Sequence, residues 1–220
     1  MAESTRRGVP EATVGRLPGY LRALTELGER GRASVSSDEL ATLVGVRSAQ
    51  VRKDLSTLGN YGVRGVGYDV ARLREQIAAE LGLSQERAVV IVGMGNLGRA
   101  LTSYAALATR GFRVVALADV DPAVVGTEVE GLPVRRLEDL DPVRTPLAVG
   151  VITTPAHAAQ EVADQLVELG VRSILNFAPT VLRVPEDVHV RAVDLATELQ
   201  ILAFHEHQRA LADAQGEEVG

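Results

Sequence analysis

The 220-residue sequence predicts an α/β protein built in two parts with an added C-terminal helix, and three observations predict it. Short helical patterns before residue 60 are followed by a stretch of spaced Gly, Val and Tyr. A β-branched run then leads straight into Gly93-Met94-Gly95-Asn96-Leu97-Gly98 and a helical pattern. After it, strand-like and helix-like segments alternate, as a parallel sheet with crossover helices requires. These changes of pattern divide the chain into residues 1–82, 83–192 and 193–220.

Hydrophobic residues make up 46% of the chain, enough for a well-buried core. No stretch approaches the apolar length that spans a bilayer, and Met1 to Pro10 lacks the apolar core of a secretory signal, so a cytoplasmic protein with no membrane partner is expected. Cysteine is absent, which excludes disulfides and thiolate switching, so any redox sensing must pass through a bound cofactor. The lack of Cys and the presence of four His argue against a structural metal site.

The net charge of −6 argues at first against nucleic acid, but it is unevenly spread. Residues 1–74 carry twelve Arg or Lys against eight Asp or Glu, a formal +4, and the remainder carries eleven against twenty-one, −10. That asymmetry suits a basic nucleic-acid module joined to an acidic one.

In the first part, Leu17, Tyr20, Leu21, Leu24 and Leu27 recur at helical spacing, and Gly28 marks the end of that helix. Ser36 with Glu39 forms a capping box for a second helix, Leu40 and Leu43 supply its buried stripe, and Gly45 ends it. A third helix begins after Ser48 as N-cap and stops at Gly59. Two short helices joined by a tight Gly turn read as helix-turn-helix. The Gly-rich stretch from Asn60 to Tyr68 suits a small β-hairpin, the wing.

At the start of the third helix, Ser48, Ala49 and Gln50 are placed to reach base edges, and Gln50 is the best candidate because a carboxamide pairs bidentately with adenine. Arg52, Lys53 and Arg64 suit phosphates or a groove. The plainer reading makes these three ordinary solvated charges.

In the second part, Val89-Val90-Ile91-Val92 is a buried strand feeding the Gly-x-Gly-x-x-Gly turn, with a helical stretch running on through Ala108. The first Gly permits the tight turn, the second lets backbone approach a pyrophosphate, and the third lets helix pack on strand. Gly93, Met94, Gly95, Asn96, Leu97 and Gly98 are therefore candidate cofactor residues. The next strand ends at Asp119, spaced to accept hydrogen bonds from ribose hydroxyls, which favours NAD(H) over NADP(H). Its alternative role is a turn former before Asp121-Pro122.

Leu147 to Ile152 forms another strand, followed by Thr153-Thr154-Pro155 and a helix from Ala156 to about Leu169. Arg172 to Phe177 closes the sheet. Ligands of doubly wound sheets sit beyond the carboxyl ends of the strands, so Thr153, Thr154, Asn176 and Phe177 are placed to line a nicotinamide end, or else serve as turn and core residues.

Too little chain remains after residue 180 for a substrate domain, and His157, in an Ala-rich helical turn, reads as a surface residue, so no catalytic residue is assigned. Asp194 is an N-cap for a long last helix whose Leu195, Leu199, Leu202 and Phe204 exceed one narrow stripe. A terminal helix apolar on several sides is readily buried against, or swapped into, another subunit, making a homodimer the natural assembly.

The predicted architecture is thus an N-terminal winged-helix domain, a Rossmann-like doubly wound parallel sheet and a C-terminal helix, packed on another subunit or, as a domain-swapped helix, exchanged with it. Its functional readings are a DNA-binding regulator that holds NAD+ or NADH, a small NAD-dependent oxidoreductase with an interaction domain, and a CoA-binding module.

Several stretches carry a resemblance that spans Val9 to about Phe204: Arg16-Leu17-Pro18, Ser48-Ala49-Gln50-Val51-Arg52-Lys53-Asp54-Leu55-Ser56, Arg64-Gly65-Val66-Gly67-Tyr68, the glycine fingerprint, Ala159-Gln160-Glu161-Val162-Ala163, Asn176-Phe177-Ala178-Pro179 and Val193-Asp194-Leu195. The chain resembles the Rex family of redox-sensing transcriptional repressors. The resemblance implies a winged-helix dimer over a Rossmann core, with the last helix exchanged between subunits and binding to palindromic operator DNA relieved by NADH. It also implies a polar network of Arg22, Tyr104 and Asp194, the last from the partner subunit. Thr154 stands where Val often precedes Pro155, and Leu195 where some relatives place an aromatic residue against the nicotinamide.

Overall fold

The computed structural model describes residues 9–59, 62–63, 67–141 and 143–217. Two compact units divide the chain, Met1–Glu86 and Arg87–Gly220.

In the first unit, α1 (Glu11–Val14) leads into α2 (Leu17–Glu29), which carries Pro18 in its first turn, where a missing N–H costs no helical hydrogen bond. Strand β1 (Ser34–Val35) precedes α3 (Ser37–Val44) and α4 (Ser48–Leu58). Strands β2 (Gly62–Val63) and β3 (Gly67–Asp69) follow, then α5 (Val70–Glu80). The strands form an antiparallel sheet in the order β1-β3-β2, so the expected wing gains a third strand from before the helix-turn-helix. Leu17, Tyr20, Leu24, Leu40, Val51, Leu55, Leu73 and Ile77 build one core.

The capping box forms as expected, with the Glu39 backbone N–H donating to the Ser36 hydroxyl and Ser36 N–H donating to the Glu39 carboxylate. Two details differ from the sequence reading. Ser48 is the first residue of α4 rather than its N-cap, a position held by Arg47 without a side-chain cap. Leu43 is exposed, because Leu40, Ala41 and Val44 share one face of α3 and Leu43 falls to its side. Arg64, with Asn60, Tyr61, Gly65 and Val66 of the expected wing, lies outside the described residues.

The second unit starts with β4 (Arg87–Val92), α6 (Asn96–Thr102), α7 (Ala106–Thr109) and β5 (Phe112–Ala118). A hairpin of β6 (Glu128–Val129) and β7 (Leu132–Arg135) and a 3-10 turn at Leu137–Asp139 come next. The chain continues through β8 (Val149–Ile152), α8 (Ala156–Glu168), β9 (Ser173–Asn176), β10 (His189–Ala192) and α9 (Leu195–Glu217). The sheet runs β10-β9-β8-β4-β5-β7-β6 and is parallel apart from the β6–β7 pair. Chain order proceeds outward from β4 through β5, then returns to β8 and proceeds the other way, which is the doubly wound pattern.

Three features correct the sequence reading. The sheet does not close at β9, since β10 pairs beyond it along a mostly exposed edge. The helix after the glycine turn is broken between Thr102 and Ala106. There the Thr102 and Ser103 hydroxyls donate back to the carbonyls of Gly98, Arg99 and Ala100, competing with the helical ladder. The β6–β7 hairpin turns at Glu130-Gly131, with both residues at positive φ.

Asp194 caps α9 as expected. Its Oδ1 accepts from the backbone N–H of Ala196 at 2.9 Å and Thr197 at 3.2 Å, and the Thr197 hydroxyl donates to Oδ2. These bonds hold the carboxyl below its usual range. Along α9, Leu195, Leu199, Ile201, Leu202 and Phe204 all stand exposed.

Candidate functional site

Four neighbouring parallel strands end level with one another: Val92 stands opposite Ala118 and Ile152, and Ile152 opposite Asn176. The residues that follow them, Gly93, Asp119, Thr153 and Phe177, therefore gather along one edge of the sheet, where doubly wound folds place ligands.

At the centre of that edge, Gly93 adopts φ 99°, a conformation that favours glycine, and a Cβ there would lie 2.9 Å from the Thr153 carbonyl carbon. The contact at Gly98 is tighter still. A Cβ on Gly98 would fall 1.9 Å from the Gly93 carbonyl oxygen, so the first turn of α6 lies directly on the turn's backbone. Gly95 is the opposite case, since a Cβ there meets nothing within 4 Å. The turn is therefore closed by packing on one side and open at its middle glycine. Met94 is buried in the core, whereas Asn96 and Leu97 are exposed.

Asp119 faces this turn: its Oδ2 accepts from the Met94 backbone N–H at 2.6 Å, and its Oδ1 accepts from Asp121 N–H at 2.9 Å. The turn-forming role weighed for it is thus realised by one oxygen, while the other meets the glycine loop. The Thr153 hydroxyl lies within donating distance of the carbonyls of Gly93, 2.7 Å, and Val92, 3.0 Å, so it holds the turn in place. Asn176 is buried, and its amide is committed to the backbone of Ala178 and Thr180. Thr154 differs from both because its buried hydroxyl has no hydrogen-bond partner. Phe177 is half-buried against the adjoining core.

The second candidate surface is α4. Ala49, Arg52 and Lys53 are exposed, and Ser48 and Gln50 are half-buried. Arg52 donates to the Ser37 hydroxyl across the helix-turn-helix.

The sequence reading assigned no role to Asp54, on the same helix. It is 1% exposed and is the acceptor for four residues. Arg16 donates through Nε to Oδ2 at 2.6 Å and through Nη2 to Oδ1 at 2.8 Å, and the Tyr20 hydroxyl donates to Oδ2 at 2.8 Å. The Thr13 hydroxyl and Gln50 Nε2 donate to Oδ1 at 3.1 and 2.7 Å. Burial alone would push this carboxyl up, but the donors outweigh it and hold it at about 2. Burial and the bond to Asp54 raise Tyr20, and the same carboxylate raises Arg16. A signal was present in the sequence, since Asp54 shares the apolar face of α4 with Val51 and Leu55, where an acid needs buried partners.

Comparison with known proteins adds the following. Residues 84–180 match a family model described as "CoA binding domain", and residues 8–56 match one described as "Putative DNA-binding protein N-terminus". The redox-sensing transcriptional repressor Rex of Streptomyces griseus is 61% identical over 216 residues, covering 97% of this chain and 85% of that protein. The Rex of Desulfitobacterium hafniense is 48% identical over 200 residues, covering 90% and 95%. The chain belongs to the Rex family of redox-sensing transcriptional repressors.

Structural likeness to the Rex family extends along both units. The crystal structure of RSP in complex with beta-NAD+ and operator DNA superposes with a TM-score of 0.87 at 32% identity, covering 96% of this chain and 99% of that one. RSP in complex with beta-NADH gives 0.82 at 32% identity, covering 94% and 98%. Of the residues the Rex resemblance tied into a polar network, Arg22 is exposed on α2 in the first unit. Tyr104, half exposed, sits in the break between α6 and α7, and Asp194 heads α9. Among the described residues no group of three or more His, Cys, Asp or Glu is placed to hold a metal, and no helix is long and apolar enough to cross a membrane.

Proposed function

We propose that this chain is a homodimeric transcriptional repressor that binds palindromic operator DNA through α4 and the wing and senses the NADH/NAD+ balance at the glycine turn. One observation carries the reading. A tightly packed glycine turn, open at Gly95 and faced by the Asp119 carboxylate, stands in the same chain as a helix-turn-helix that presents Arg52 and Lys53 to solvent. The Rex relatives and the nucleotide and operator complexes of RSP support it. The chain acts as a regulator and not as an enzyme, working in the cytoplasm where operator and nucleotide pool meet.

The residues fit a dinucleotide. The space over Gly95 admits a pyrophosphate against the backbone of Gly93 to Gly98, and the remaining lone pairs of Asp119 accept from the ribose hydroxyls. Thr153 and Asn176 support the site from behind, since their polar groups are already committed. That leaves the Phe177 ring and the side chain of Thr154, whose buried and unpartnered hydroxyl must turn outward to meet a ligand, at the nicotinamide end.

When bound, the dinucleotide supplies a ring that is cationic when oxidised and neutral when reduced. An apolar edge formed by Phe177 and the partner's Leu195 favours the neutral form, because burying an unpaired charge is costly. The same residues then bias the paired subunits toward a closed arrangement in which the recognition helices no longer match successive half-sites. A decisive shift requires a preference of roughly 5 kcal/mol between the two arrangements. Arg22, Tyr104 and the partner's Asp194 would link the DNA-reading part (residues 1–82), the nucleotide part (83–192) and the exchanged helix (193–220).

A gel shift on a palindromic DNA pool with NAD+, with NADH and without nucleotide tests the reading, and a complex indifferent to NADH would sink it. Asp119→Ala protein is expected to keep operator affinity and lose its response to NADH; a complex that NADH dissolves as readily as the wild type removes the ribose assignment. Lys53→Ala is expected to weaken binding to all sequences alike and to lower the salt slope by about one unit, which unchanged non-specific affinity would contradict. The CoA-domain match over residues 84–180 gives the site a second candidate ligand, and parallel titrations with NADH and CoA separate the two.

A further inference from the structure

We propose that Asp54 is a positioning residue for base readout, fixing which end of the Gln50 carboxamide faces the DNA; this rests on the reading of α4 as the recognition helix. Gln50 and Asp54 lie one helical turn apart on α4, and Gln50 Nε2 donates to Asp54 Oδ1 at 2.7 Å. An ionised carboxylate only accepts, so a flipped carboxamide would set Oε1 against Oδ1, two acceptors with no hydrogen between them. The amide polarity is therefore fixed before any base is met. Nε2 keeps a second hydrogen and Oε1 keeps its lone pairs, which are the donor and acceptor that adenine N7 and N6 require.

Asp54 is itself held in place. Arg16 grips both of its oxygens, Tyr20 and Thr13 complete the set, and the group is almost wholly buried, so the carboxylate has one orientation to offer. A glutamine on an otherwise similar helix would flip freely and present a donor or an acceptor to whichever base arrived. Here the flipped state is penalised by a charge anchored from α1 and α2, which narrows the choice of base and spares the side chain the loss of freedom on binding. Asp54 never touches DNA in this scheme, and its effect passes entirely through Gln50.

The test uses the full chain and a duplex that the wild type selects from a randomised palindromic pool, together with every single-base-pair variant of that duplex. Gln50→Ala identifies the base pair whose discrimination Gln50 carries, by a fall of about ten-fold there. Asp54→Asn is expected to relax discrimination at that same base pair by at least about five-fold, with smaller effects at other positions. In the Gln50→Ala background, Asp54→Asn is expected to add nothing there, and Tyr20→Phe, which removes a different donor, is expected to leave it unchanged. A uniform loss at all positions, additivity in the double variant, or the same relaxation with Tyr20→Phe overturns the proposal in favour of a purely structural carboxylate.

Should Asp54→Asn not fold, the wild-type protein decides by NMR of the Gln50 side-chain amide. An order parameter near the rigid-backbone value of about 0.85 supports the proposal, and one below about 0.6 overturns it. If Gln50→Ala changes no position while Lys53→Ala weakens all of them, base reading by Gln50 falls and α4 remains the DNA helix. If no duplex is selected from the pool, the repressor reading falls as well.

Discussion

Gly98→Ala protein is expected to lose nucleotide response together with about 3 kcal/mol or more of the second unit's stability, the upper range for overpacking against backbone that cannot retreat. The added carbon would sit 1.9 Å from the Gly93 carbonyl oxygen, and Gly93 is itself pinned by the Thr153 hydroxyl and by its N–H bond to Ala118. Relief must come from α6 lifting off the strand, which moves every backbone N–H of the turn. The informative control is Gly95→Ala. Its φ of −72° suits any residue and its Cβ meets nothing, so the fold is expected to stand while the space for a pyrophosphate is filled. Denaturant unfolding and NADH titration of both variants check the pair. Gly98→Ala with wild-type stability, or Gly95→Ala with wild-type NADH affinity, would contradict the assignment of the two glycines.

Asp54→Ala is expected to cost about 3 kcal/mol, because it leaves the buried Tyr20 and Thr13 hydroxyls without an acceptor and the part-exposed Arg16 without its counter-charge. That is a large share of the roughly 5–15 kcal/mol that holds a domain folded, so operator binding should fall along with the stability of the first unit. The wild type carries a matching pH signature. The folded-state value of about 2 lies below the ordinary 3.8, so the carboxylate's stabilisation is complete above about pH 4 and is lost as pH falls through about 2. Acid titration followed by circular dichroism should show that component in the wild type. Thr13→Val, which removes a single neutral donor, should keep most of it, and a wild-type unfolding curve flat between pH 4 and 2 would refute the account.

Much of this was legible because each signal is local. The run Val89 to Val92, the spacing of three glycines and the Ser36–Glu39 box each state a backbone requirement within a few residues. Asp119 could be located by spacing from the fingerprint. What escaped depends on partners far along the chain. Strand β10 is an exposed edge whose apolar residues are few, so only its pairing with β9 defines it. Thr153 and Asn176 were placed correctly at strand ends, yet whether such hydroxyls and amides meet ligand or backbone is decided by the loops around them. Asp54 was given no role. Its donors Thr13, Arg16 and Tyr20 come from more than thirty residues earlier, beyond any helical period.

The large apolar side chains exposed on the described part of α9 also bear on heredity. If that face is covered only by a second copy, a chain made in the same cell with a damaged glycine turn would still pair with sound ones. With random pairing, a damaged chain that makes up half of the pool ties up half of the sound chains in mixed molecules, so its harm reaches beyond its own copies.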